Sequence, residues 1–150
     1  MTARGLWFDR VDGEIYMASI LIIDDDEDIR DALQMVLESA GYEVKVASNG
    51  NEAIELQREE PAQLVITDII MPEKDGVRTI KEMRQESPGL RIIAISGGGG
   101  VEPITYNPGA LTTTAYLAAA KEAGADRVFT KPFDRKDLIQ AVDDLLGKLH

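Results

Sequence analysis

Asp24, Asp25, Asp26, Asp68, Ser96 and Lys131 are the residues whose types could do chemistry together. Carboxylates held close to one another repel unless a cation sits between them. An all-oxygen site with few carboxylates, and with room for water and phosphate, suits Mg²⁺. Asp68 could then be both ligand and nucleophile, because a carboxylate that attacks phosphorus gives an acyl phosphate. Lys131 and the metal would neutralise charge on the equatorial oxygens of the transferring group. The Ser96 hydroxyl could donate to one of those oxygens once they arrive.

These residues are far apart along the chain, so the elements between them must bring them together. Ser19 to Asp24 reads as a strand buried on both faces. Ile29, Leu33, Val36, Leu37 and Ala40 recur at helical spacing, and Gly41 is placed to end that helix. Tyr42 to Ala47 alternates as a more exposed strand would, and Asn51 to Glu59 reads as a helix stopped by Pro61. Leu64 to Asp68 is a third strand. A turn from Met71 to Gly76 leads into a helix through Val77, Ile80 and Met83, which Pro88 and Gly89 close. Arg91 to Ser96 is a fourth strand, Ala115 to Ala123 a helix, and Asp126 to Thr130 a fifth strand. The last helix carries Leu138, Val142, Leu145 and Leu149 on one face. Alternating strands and helices imply a parallel sheet with helices on both faces. In such sheets the ligand site lies beyond the carboxyl ends of the strands. Asp24 to Asp26, Asp68, Ser96, Thr130 and Lys131 all fall at those ends.

Composition narrows the classes. A length of 150 residues suits one α/β domain with a full core. No apolar run is long enough to span a bilayer, and residues 1–19 lack the continuous apolar stretch of a signal peptide. With no cysteine, disulfides, thiolate metal sites and thiol nucleophiles are excluded. These features fit the cytoplasm. A net charge of −11 repels phosphodiester backbones, which argues against direct nucleic-acid binding.

Five motifs stand in order, each at a strand end: Ile20 to Asp26 (ILIIDDD), Val65 to Asp68 (VITD), Met71-Pro72 with Asp75-Gly76, Ile95-Ser96, and Lys131-Pro132-Phe133. In order and context they resemble the CheY-like receiver domains of two-component response regulators, over roughly Ser19 to Leu149. The resemblance implies a flavodoxin-like sheet with strand order 2-1-3-4-5. It implies Asp68 as phosphoacceptor, Asp25 as direct Mg²⁺ ligand, Asp24 acting through water, and the Ile70 backbone carbonyl completing the set. Ser96 matches the family's switch hydroxyl and Lys131 its phosphoryl-pairing lysine. A cis bond before Pro132 would aim that lysine into the site. The implied function is that of a stand-alone receiver at residues 19–150, signalling through protein contacts, with no catalytic role beyond its own phosphotransfer and dephosphorylation. The donor would be a histidine kinase, a phosphotransfer protein or a small acyl phosphate. The output would be a downstream protein target, through the face of the fourth helix, fifth strand and fifth helix. That face could also pair two copies of the chain.

Other readings of the same residues fare worse. Asp24, Asp26 and Asp28 alternate as in an EF-hand loop, but Ile29 and Met35 stand where that loop needs Gly and Glu. Asp24 and Asp26 match the Asp-x-Asp of haloacid-dehalogenase-like phosphohydrolases, but that leaves Asp68 and Met71-Pro72 unexplained. A receiver used only as an unphosphorylated binding module is the remaining alternative. Asp26 suits a helix N-cap. Gly97 to Gly100 is not followed by the Gly-Lys-Ser/Thr of a phosphate-binding loop.

The chain also departs from the family. Val128 stands where the family usually has an aromatic that swings inward on activation, while Phe129 should face the opposite side of the sheet. The segment 97–111 is roughly a dozen residues longer than the usual connection, and is read either as a partner-recognition element or as a tolerated insertion. Ile70 puts an apolar side chain near the water path, which would slow acyl-phosphate hydrolysis. Residues 1–18 read as a poorly ordered extension; Met17-Ala18-Ser19 would itself be a sensible start. Trp7 has no assigned role. His150 is the only histidine and terminal, which leaves no plausible phosphohistidine in the chain itself.

Overall fold

The computed structural model describes residues 8–11, 14–69, 76–96 and 113–147. Strands β1 (Phe8–Val11) and β2 (Glu14–Met17) pair antiparallel, with Phe8 opposite Met17. The sequence reading does not anticipate this hairpin. The body then runs β3 (Ser19–Ile23), α1 (Glu27–Ser39), β4 (Glu43–Ala47), α2 (Gly50–Glu59), β5 (Leu64–Asp68) and α3 (Gly76–Glu86). It continues with β6 (Arg91–Ser96), α4 (Thr113–Ala123), β7 (Arg127–Thr130) and α5 (Arg135–Leu145). Strands β3 to β7 form one parallel sheet in the order β4-β3-β5-β6-β7. Counted from β3, that is the 2-1-3-4-5 order of a flavodoxin-like fold.

The central strands are apolar without alternation because both faces of the sheet are covered. Successive side chains point to opposite faces, so each strand feeds two cores. Leu21, Ile23, Val65, Ile92 and Ala94 pack with Ala53 and Ile54 of α2, Ile80 and Met83 of α3 and Ala120 of α4. Ile20, Ile22, Ile66, Ile93 and Ile95 pack with Leu33 and Leu37 of α1 and with Leu138 and Val142 of α5. Of the apolar stripes read in the sequence, Ile29, Leu33, Leu37 and Ala40 of the first helix and Leu138, Val142 and Leu145 of the last meet the same side of the sheet; Leu149 lies outside the described residues.

Local signals set the helix ends. The Asp26 side chain accepts from the backbone N–H groups of Asp28 (2.9 Å) and Ile29 (3.4 Å), which caps α1. Past its other end, Gly41 takes φ 98°, a left-handed conformation that glycine adopts without strain. Two long-range devices fix the ends of helices remote from the strand tips. Buried Tyr42 donates its hydroxyl hydrogen to buried Asp143 and so ties α5 to the start of β4. Arg84 of α3 donates to the carbonyls of Pro88 (2.7 Å), Leu90 (2.5 Å) and Gly124 (2.7 Å) and to Asp126 Oδ2 (3.1 Å). Asp126 Oδ2 also accepts from the Ile92 N–H at 2.8 Å, so one guanidinium joins α3, the start of β6 and the end of α4.

Among the described residues, no helix is long and apolar enough to cross a membrane.

Candidate functional site

Register brings the singled-out residues to one edge. Ile23 pairs with Thr67, Asp68 with Ile95 and Ser96 with Thr130, so Asp24, Asp68, Ser96 and Lys131 leave neighbouring strand ends together. One carboxylate oxygen from each of Asp24, Asp25 and Asp68 lies within 4.8 Å of the other two. Lys131 Nζ stands 3.5 Å from Asp24 Oδ2. The Lys131–Pro132 peptide bond is cis, and the Lys131 N–H donates to the Ser96 carbonyl at 3.0 Å.

Asp24 is held at every polar atom. Its N–H donates to the Ala47 carbonyl (3.2 Å), and its Oδ1 accepts from the Asp26 N–H (2.9 Å). Its Oδ2 faces Lys131, and its carbonyl accepts from Arg30 Nη1 at 2.8 Å. Asp68 is the opposite case. Its Oδ1 is buried and has no hydrogen-bond partner among the described residues, and the same holds for the Ser96 hydroxyl oxygen. A buried polar atom without a partner costs about 1–3 kcal/mol, so two of them at the ends of adjacent strands mark a place built for something else. Asp25 is exposed, and among the described residues its carboxylate accepts no hydrogen bond.

The electrostatics agree. Burial pushes the Asp24 carboxyl above the usual range, against the pull of the Asp26 N–H and Lys131. Burial, and then the neighbouring Asp24 charge, push Asp68 up to about 6, with Lys131 opposing. One lysine does not compensate this many carboxylates. The donor set is all oxygen, tightly spaced and partly open through Asp25, which fits a small hard cation such as Mg²⁺. The Ile70 carbonyl, expected as a further ligand, lies outside the described residues. So do Met71, Pro72 and Asp75, the 97–111 segment, Trp7 and His150.

Two residues gain a reason that the sequence did not supply. A Cβ on Gly76 would lie 2.2 Å from the Asp68 carbonyl oxygen and 2.6 Å from Ile69 Cα. The start of α3 therefore rests directly on the end of β5, where only glycine fits. Arg30 was not singled out by sequence at all. Its signal was present: it is a lone cation among Glu27, Asp28 and Asp31, one turn beyond the Asp26 cap. At the departure from the family pattern, Val128 is half-buried against the α2–α4 core, whereas Phe129 packs on the α1–α5 side. There Phe129 meets Phe133, with ring centroids 5.6 Å apart.

Sheet order and strand-end carboxylates define the class: a doubly wound α/β domain with an acidic site at its carboxyl edge. The chain belongs to the response regulator receiver domain family, whose model matches residues 20–143. It is 36% identical over 130 residues to the response regulator receiver protein CpdR of Brucella abortus, covering 87% of this chain and 98% of that one. It is 32% identical to the chemotaxis protein CheY of Halobacterium salinarum, covering 85% and 95% of the two chains. Among solved structures, a response regulator receiver domain protein from Clostridium thermocellum superposes with a TM-score of 0.75 at 27% identity, over 88% of this chain and 96% of that one.

Proposed function

We propose that residues 19–150 act as a stand-alone cytoplasmic receiver that takes a phosphoryl group onto Asp68 and signals through protein contacts. The observation that carries this is the buried Asp68 Oδ1 without a partner among the described residues, grouped with Asp24 and Asp25, while the likewise partnerless Ser96 hydroxyl ends the neighbouring strand and Lys131 faces Asp24. Asp25 and Asp68, with the Ile70 carbonyl, would hold Mg²⁺, and Asp24 would act on it through water. Bound there, Mg²⁺ supplies positive charge to the oxygens of the transferring group.

The chain's own groups do the rest. An Asp68 oxygen forms the new P–O bond as the bond from phosphorus to the donor's imidazole nitrogen, or to an acyl oxygen, breaks with its electron pair. A pKa of about 6 leaves Asp68 largely ionised at neutral pH, as attack requires. Lys131 can exchange Asp24 for a phosphoryl oxygen, and Ser96 can donate to another. The donor would be a histidine kinase, a phosphotransfer protein or a small acyl phosphate. The receiver of the signal would be a protein that meets α4, β7 and α5, a face that could also pair two copies of the chain.

The test is incubation with Mg²⁺ and acetyl phosphate, followed by intact mass and peptide mapping. An adduct on Asp68 that is missing in Asp68→Asn is the expected result. No adduct on the wild-type chain would instead favour a binding module, and an adduct on Asp24 would favour hydrolase-like chemistry.

A further inference from the structure

Arg30 lies outside the catalytic set, yet it touches the backbone that carries that set. Its guanidinium reaches back from α1 and donates to the carbonyl oxygen of Asp24 at 2.8 Å. That oxygen belongs to the peptide joining Asp24 to Asp25. The two neighbouring anchors act elsewhere: the Asp24 N–H is fixed on Ala47, and the Asp26 N–H closes onto the Asp24 side chain. The Asp25 carboxylate has no hydrogen bond of its own among the described residues. Among the described residues, then, it is the backbone that places this side chain, and Arg30 is a side chain that fixes the plane of the preceding peptide.

We infer that Arg30 is a positioning residue that sets Asp25 for cation binding. The inference rests on the metal-site reading above. It makes a prediction of unusual sign. By charge alone, removing a guanidinium beside a divalent-cation site should tighten the cation. By positioning, removing it should loosen the cation, because partners that orient a metal ligand typically contribute roughly 10–100-fold in affinity.

The experiment is Mg²⁺ titration by calorimetry of the wild-type chain, Arg30→Met and Arg30→Lys, with thermal melts alongside. Arg30→Met keeps the apolar stem and removes both charge and donor; Arg30→Lys keeps the charge and one donor. The expected result is a roughly tenfold rise in the Mg²⁺ Kd for Arg30→Met, recovered at least in part by Arg30→Lys. Labelling of Asp68 by acetyl phosphate at saturating Mg²⁺ should stay within about twofold of wild type, because the loss lies in binding. Unchanged or tighter Mg²⁺ binding by Arg30→Met, with the wild type binding normally, overturns the inference alone. No Mg²⁺ binding by the wild type overturns the metal site, and the inference with it. Should Arg30→Met not fold, Arg30→Gln carries the same comparison.

Discussion

At the scale of the residue, Asp68 combines two demands that oppose each other. As the proposed phosphoacceptor it must be buried enough to meet a phosphoryl group without competing water, and ionised enough to attack. Its carboxyl sits at about 6 when folded, against 3.8 for the ordinary group. Between those values the folded state binds more protons than the unfolded state, so stability falls as pH rises from about 4 to about 6. Asp68→Asn should therefore stabilise the metal-free protein by at most about 3 kcal/mol above pH ~6, and by close to nothing below pH ~4. Urea midpoints taken across that range in EDTA would show it; a difference that does not change with pH would contradict the assignment. Gly76→Ala tests the floor beneath Asp68. A methyl group 2.2 Å from the Asp68 carbonyl must move α3 or β5, so a loss of roughly 2–4 kcal/mol in urea unfolding and weakened Asp68 labelling are expected. At this scale the meeting of Asp24, Asp68 and Lys131 at one edge was readable, because each ends or follows a strand. It was silent on Arg30, because a carbonyl six residues back becomes a partner only after the turn between β3 and α1 is built.

At the scale of the element, helix and strand bounds followed from periodicity, caps and breakers, which act within a few residues. The Asp26 cap and the Gly41 stop are both local in this sense. The Tyr42–Asp143 link joins residues 101 positions apart, and no local pattern encodes it. Tyr42 opens an alternating stretch in the sequence and reads as one more strand residue, yet it is 1% exposed. Burial first, then the hydrogen bond and charge of Asp143, raise its phenol above the ordinary value. Tyr42→Phe removes the hydroxyl that donates to Asp143 inside the α1–α5 core. It should cost about 1–3 kcal/mol, measurable by chemical denaturation. A neutral effect would mean that the link holds no part of the junction between α5 and β4.

At the scale of the whole molecule, the parallel sheet was legible because βα alternation and fully apolar strands permit few other architectures. The N-terminal hairpin was not, since two strands of four residues each carry too little pattern to stand out. A folded chain with net charge −11 and clustered carboxylates also strains against its own field. Mg²⁺ should raise the melting temperature, with a stabilisation of about 2.7 kcal/mol once free Mg²⁺ reaches about 100 times its Kd. Asp25→Asn should blunt that rise while monovalent salt stabilises both proteins alike. An equal Mg²⁺ effect on both would point to general screening.

The Arg84 network has a mechanical consequence. It grips the segment just past α4 through the Gly124 carbonyl and Asp126, at the amino end of the sheet, and Gly124 at φ 129° leaves room for the guanidinium beside it. The first turn of α4 lies toward the opposite edge, where Ser96 ends β6. A helix tied at that end would pivot about Arg84 if its first turn shifted. Amide exchange should accordingly be faster in the first turn of α4 than in the last, and Arg84→Ala should flatten the gradient by freeing the pivot.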